Sequence, residues 1–281
     1  MGALIWLASY PKSGNTWLRA FLYNLLRNPP KPAPINELDR FCLGESAEGW
    51  YARRAGRPTE GMPLAEVMAL RPQVHRDFTT AFPDSVFVKT HNFLGECDGV
   101  PLHNMDVTAG GLYVVRNPLD VVISVRHHFG LSMDEAIARL ADPTAATQSA
   151  GGHVAEFHNS WSKHVESWTA IPNPALHVVR YEDMLDHPRR SFGQMVAFLG
   201  LKPPKERLRR AIKFSSFRVL KGQEQRDSFK ERSEHSDAFF REGQKDQWRN
   251  LLTSAQVDRI IADHGEQMAR FGYLPDDRAG S

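Results

Sequence analysis

Cysteine is scarce in this chain of 281 residues, where Cys42 and Cys97 are the only two. Two thiols cannot build a disulfide scaffold or a four-cysteine zinc site, and they suit a reducing compartment. A dominant charge is missing as well. Lys and Arg number 35 against 33 Asp and Glu. The net +2 is too small for a nucleic-acid coat protein or a polybasic membrane binder. Long hydrophobic runs are also lacking. The N-terminal one, Ala3 to Ala8, is too short for a bilayer and has neither the basic flank nor the cleavage site of a secretory signal. Gly2 follows Met1, but Trp6 stands where a myristoylation motif requires Ser or Thr. There is no internal repeat and no low-complexity tract. These absences predict a cytoplasmic protein with no nucleic-acid and no membrane partner.

What is present reads as a globular α/β domain. Hydrophobic residues make up 41% of the chain and charged residues 24%, enough apolar content for a sizeable core and too little charge for disorder. Leu4 to Ala8 is a short strand, apolar on both faces, and Tyr10 to Asn15 a turn. From Thr16 the period becomes helical, with Trp17, Leu18, Phe21, Leu22, Leu25 and Leu26 on one face, until the proline-rich stretch 29–34 stops it. Strand, glycine turn and helix open a parallel sheet. Further strands are expected at 85–90, 111–115 and 176–180. A helix should begin after Arg116, with Asn117 as N-cap, Pro118 at N1 and Asp120 at N3. Other helices are expected near 153–170, 188–199, 204–213 and 254–270, while 35–80 reads as short helices and loops. The fold class is therefore a single domain over 1–281, a central parallel sheet flanked by helices in the manner of P-loop NTPases. Residues 202–249 carry 14 Lys and Arg against 8 Asp and Glu, either a solvated helical face or a basic segment that closes an anion site.

Three constellations carry chemistry. In Tyr10-Pro-Lys-Ser-Gly-Asn-Thr-Trp17, a tight turn at a helix N-terminus offers backbone N–H groups and a partial positive charge. Gly14 permits close approach, Thr16 adds a hydroxyl and Lys12 a full charge. Such a turn is either a phosphate cradle or an ordinary strand-to-helix connection. It is not a Walker A motif, because the Lys precedes the glycine. Arg116 ends a strand, where ligands gather in open α/β sheets, and Ser124 follows two helical turns later. An arginine fork suits phosphate, although the pair also suits a strand-end ion pair and a surface hydroxyl. Lys89-Thr90-His91 ends another strand and places an imidazole where it can accept a proton. His127 with His128, and His153 with His158, match no zinc spacing, so no metal is expected.

Taken together and in this order, these motifs resemble the cytosolic sulfotransferase family, whose donor is 3′-phosphoadenosine 5′-phosphosulfate (PAPS). Tyr10 to Trp17 is similar to the family's 5′-phosphosulfate loop, and Arg116 with Ser124 to its 3′-phosphate site. Ser160-Trp161, His164-Val165, Ser167-Trp168 and then Arg180 to Met184 resemble the stretch leading to an adenine-contacting Tyr. Ser215-Ser216-Phe217 with Leu220, and Phe240 to Gly243 with Trp248 to Asn250, resemble the segments that close over adenine and the 3′-phosphate. The resemblance implies that Lys12 bonds the oxygen bridging phosphate and sulfuryl group, and that backbone amides from Ser13 through Gly14, Asn15 and Thr16 to Trp17 hold the 5′-phosphate. It implies that Trp17, Tyr181, Phe217 and Leu220 frame the adenine. Arg116, Ser124, Arg241 and Gly243 would hold the 3′-phosphate. His91 would be the catalytic base, with Lys89 and Ser124 also in the catalytic set. The partner implied is a small-molecule hydroxyl acceptor, with no metal, and 3′,5′-bisphosphoadenosine (PAP) as product. Two departures stand out. Glu242 replaces a Lys of the family's Arg-Lys-Gly loop, and the dimer motif survives only in part around Arg249 to Asp258, which leaves a monomer or weak homodimer. A P-loop small-molecule kinase is the alternative activity. The stretches 35–80 and 221–238 are the expected variable acceptor and lid loops.

Overall fold

The computed structural model describes residues 2–82 and 84–276. Its centre is a five-stranded parallel sheet. The strands are β1 (Leu4–Ser9), β2 (Leu43–Gly44), β3 (Val86–Thr90), β4 (Thr108–Val115) and β5 (Leu176–Arg180), in the order β2-β3-β1-β4-β5. Both faces are apolar because both are covered. Trp6 and Ala8 of β1, Val88 of β3 and Tyr113 and Val115 of β4 pack into one core. Their alternates Leu7, Leu112, Val114 and Val179 meet Leu18, Phe21 and Leu22 of α1 (Asn15–Arg27) in the other. Among the described residues no helix is long and apolar enough to cross a membrane.

Several expectations shift in detail. Residues 35–80 hold an 18-residue helix, α2 (Leu64–Ala81), where only short pieces were expected. Pro72 lies inside it and its apolar periodicity is weak, which hid it. The helix expected over 153–170 begins only at Trp161. Glu156–Phe157 is a short strand, and Ser160 caps the helix by accepting the Lys163 N–H. β4 starts three residues earlier than expected. α3 (Pro118–Phe129) begins as expected, with Asn117 Oδ1 accepting the Leu119 N–H. The carboxylate of Asp120 instead accepts the N–H groups of Asp246 and Trp248, which ties the distant C-terminal loop to this helix. The segment 221–238 is only partly loop, since α4 (Phe217–Asp227) runs into it.

Candidate active site

Sheet register assembles the site. Ala8 lies opposite Thr90, Ser9 opposite Val114 and Val115 opposite Arg180, so the strands end along one edge. The residues that follow those ends, Tyr10 to Trp17, His91, Arg116 and Tyr181, therefore converge, as in other open parallel sheets. A cavity of ≈ 740 Å³ opens there. Of the residues singled out from the sequence, Lys12, Gly14, Asn15, Thr16, Trp17, Lys89, His91, Arg116, Ser124, Tyr181, Phe217, Leu220, Arg241 and Gly243 all border it. Ser13 does not. Its side chain is fully buried, and its amide donates to Tyr10 O at 3.3 Å, so the turn itself uses that N–H. Asn15 also braces the loop, donating from Nδ2 to Leu7 O at 2.8 Å.

The loop geometry explains its residue types. Gly14 has φ +107, and a Cβ there would lie 2.7 Å from the Tyr181 ring, so only glycine fits. Lys12 holds φ 66 without being glycine, the kind of strain that gathers at functional sites. Its Nζ sits 3.6 Å from the centroid of Phe239, and burial followed by the charge of Arg116 lowers its pKa to about 7. Arg116 donates to Lys12 O at 3.1 Å and to Ser124 Oγ at 3.3 Å, and stacks 4.4 Å from the Tyr181 centroid. Its Nε and the Trp17 Nε1 are buried without a hydrogen-bond partner.

At the other end stands His91. Its Nδ1 lies 2.8 Å from Ser9 O. A carbonyl oxygen only accepts, so Nδ1 carries the proton and Nε2 keeps its lone pair. Burial, then the neighbouring Lys89 ammonium, holds its pKa well below the ordinary value, so the ring is neutral. His164 braces the same turn. Its Nε2 donates to His91 O at 3.2 Å while Nδ1 accepts from Tyr113 Oη at 2.8 Å.

The loop 228–247 covers the cavity. Arg19 grips Glu231 through two bonds of 2.8 and 2.6 Å. Burial pushes the Glu231 carboxyl up, but Arg19 overcomes this and holds it at about 2. Glu224 accepts the N–H groups of Phe239 and Phe240, and Gln244 O accepts from Arg116. A Cβ at Gly243 would fall 2.2 Å from the Phe217 ring, so this glycine lets the loop lie on the aromatic. Glu242 is exposed at the rim. The basic segment singled out in the sequence thus contains this closing loop.

Other wall residues were not anticipated. Within 35–80, the aromatics Trp50, Tyr51 and Phe78 pack against one another or in the core and do not border the cavity, whereas Cys42, Gly44 and Ala47 do. His128, Phe129, Glu156 and His158 also border it. The usable signal was Asn159-Ser160, a helix start that frees the residues before it to form an edge.

Comparison with known proteins agrees with this geometry. The sulfotransferase domain family matches residues 4–272. The chain is 25% identical over 272 residues to sulfotransferase 1A1 of Canis lupus familiaris, covering 95% of this chain and 83% of that one. Among solved structures it resembles retinol dehydratase in complex with androsterone and inactive cofactor PAP, with a TM-score of 0.63, 19% identity and coverage of 94% and 80%. It also resembles mouse sulfotransferase SULT7A1 complexed with PAP, with a TM-score of 0.61, 20% identity and coverage of 95% and 84%. With the family matched along nearly its whole length, the chain belongs to the sulfotransferase domain family and is a sulfotransferase enzyme.

Proposed function

We propose that this enzyme is cytoplasmic and transfers a sulfuryl group from PAPS to a hydroxyl of a small-molecule acceptor. One observation carries the reading: the glycine turn with Lys12 at a helix N-terminus and a neutral imidazole with a free Nε2 border the same cavity. The PAP complexes among the structural neighbours support the choice of donor. PAPS brings the sulfuryl group and leaves as PAP. The residues would divide the work as follows. The amides of the Gly14–Trp17 turn and the end of α1 bind the 5′-phosphate. Arg116, Ser124, Arg241 and Gly243 bind the 3′-phosphate, with Tyr181, Phe217, Trp17 and Leu220 around the base. Lys12 offers its charge to the phosphate oxygen from which the sulfuryl group departs. His91 Nε2 takes the acceptor's proton, since a hydroxyl, even a phenol with a pKa of about 10, is a weak nucleophile until deprotonated. Lys89 adds positive charge beside it.

The phosphoryl-transfer alternative draws no support from the family match. Two measurements test the proposal together. PAP should raise the melting temperature by several degrees at saturating concentration while ATP with magnesium does not. Labelled sulfate should pass from PAPS to at least one member of a panel of phenols, alcohols and sugars. Stabilisation by ATP with magnesium and not by PAP would refute the donor assignment.

A further inference from the structure

The end of the cavity beyond His91 is polar in a way that a simple alcohol does not require. Glu156 faces it with 12% of its side chain exposed. Its Oε1 accepts from Ser46 Oγ at 3.1 Å and lies 3.4 Å from Lys89 Nζ, while Oε2 has no hydrogen bond among the described residues. Next to it His158 borders the same cavity, 1% exposed, with neither ring nitrogen bonded. Burial lowers the His158 pKa to about 4, so the ring is neutral and offers one donor and one acceptor. Two unmet ring nitrogens on a buried His158 are unusual unless a ligand satisfies them, and Glu156 Oε2 opens onto the same cavity beside them.

This wall is also built to stay in place. Buried Glu45 accepts from Arg71 at 2.7 and 2.8 Å, from Tyr51 at 2.7 Å and from Asn92 at 2.8 Å. Arg71 donates in turn to Ala155 O, and Asn92 Oδ1 accepts the Phe157 N–H at 2.7 Å. One buried network therefore holds both the residue after His91 and the residues flanking Glu156.

We propose that Glu156, with Ser46 and His158 beside it, is a specificity-determining subsite for a second, uncharged hydroxyl on the acceptor, adjacent to the one that His91 deprotonates. The inference rests on the sulfotransferase reading above and adds the acceptor's class to it. Charge selects the neutral group. Lys89 already neutralises Glu156, so an ammonium would meet the Lys89 charge and a carboxylate would meet Glu156. An acceptor with no second polar group would seal a carboxylate under hydrocarbon, which is costly. A hydroxyl can donate to Glu156 Oε2 and exchange hydrogen bonds with a neutral imidazole. Phe129, Phe239 and Ala47 in the remaining wall suit a flat carbon skeleton.

Three probes on one skeleton test this: 2-naphthol, 2,3-dihydroxynaphthalene and 3-(aminomethyl)-2-naphthol. Their kcat/KM with PAPS is compared, and their binding to the PAP-saturated enzyme is followed by calorimetry. The diol should exceed the mono-ol by about tenfold or more in both, because a site built to hydrogen-bond a hydroxyl rejects an analogue lacking it. In Glu156→Ala that ratio should fall to within about twofold of unity, with the PAP-induced rise in melting temperature unchanged, and Glu156→Gln should give an intermediate ratio. The ratio within one variant cancels any effect on the chemical step common to both acceptors. If the alanine variant does not fold, the isosteric glutamine variant alone decides. Equal handling of diol and mono-ol, preference for the ammonium probe, a ratio unmoved by the variants, or no interaction with the diol in a protein that binds PAP would each overturn the subsite. Failure of PAP itself to bind would instead overturn the sulfotransferase reading.

Discussion

A single proton on His91 decides what the imidazole can do. Because Ser9 O accepts from Nδ1, the lone pair is on Nε2, and burial with Lys89 nearby keeps the ring unprotonated through the neutral range. His91→Ala should lower single-turnover rates about 10²- to 10⁴-fold while PAP affinity stays within about twofold. A variant with wild-type turnover would remove His91 from the reaction. Lys12 makes the opposite kind of prediction. Its pKa of about 7 in the free protein should rise when a bound phosphate anion faces it. At pH 8 the free side chain is mostly neutral and the bound one charged, so binding should take up about one proton. PAP affinity should accordingly fall as pH rises above about 7. Calorimetry in buffers of differing ionisation enthalpy measures the uptake directly, and zero uptake at pH 8 would contradict the shift.

At the scale of elements, the informative piece is the closing loop. It has no strand or helix of its own between Ser228 and Gln247, and it is held by side chains from elsewhere: Arg19 of α1, Glu224 of α4 and Asp120 of α3. Such a loop is ordered by its anchors. Gly243 is its tightest point, with φ +63 and the Phe217 ring where a Cβ would go. Gly243→Ala should cost about 1–3 kcal/mol of local strain, displace Phe217 and weaken PAP binding more than it lowers the melting temperature. An unchanged PAP affinity would place Phe217 away from the nucleotide.

Over the whole molecule, a fully buried ion pair lies beneath the wall that carries Glu156. Glu45, Arg71 and His75 are fully buried. The Asn104 N–H donates to His75 Nδ1, so His75 is neutral and its Nε2 donates to Glu45 at 3.1 Å. Arg71→Met leaves the carboxylate without its cation and should destabilise the fold by about 3–5 kcal/mol, read by chemical denaturation. Burial pushes the Glu45 carboxyl up, but Arg71, then His75 and Tyr51, bring it down to about 2. A depressed folded pKa means that this stabilisation is complete above the ordinary carboxyl range and is lost as pH falls from about 4.5 towards 2. Glu231 adds a second contribution of the same sign at the lid. The melting temperature should therefore drop steeply between pH 5 and pH 2, less so in Glu45→Gln. An acid limb identical in that variant would assign the loss to other groups.

Local chemistry alone determined a good deal: the apolar run of β1 and β4, the glycine turn before α1, and the Asn117-Pro118 start of α3 are short-range signals, legible because each involves neighbours in the chain. The turn from Lys12 to Trp17, His91 and Arg116 were legible for the same reason, each following a strand end. Ser124, by contrast, was legible from its spacing to Arg116, and Tyr181, Phe217, Leu220, Arg241 and Gly243 only through the family resemblance. Tertiary structure decided the rest. Helix α2 forms despite Pro72 and a weak apolar pattern because its buried face, Val67, Val74 and Phe78, packs into the core, which a single sequence does not display. Glu156 and His158 came to the cavity only through the pairing of Glu156–Phe157 with Ala146–Thr147 and through bonds from Asn92 and Arg71, contacts between residues far apart in the chain. Residue type and spacing report which groups are available. Which of them share a cavity depends on long-range contacts formed by the folded core.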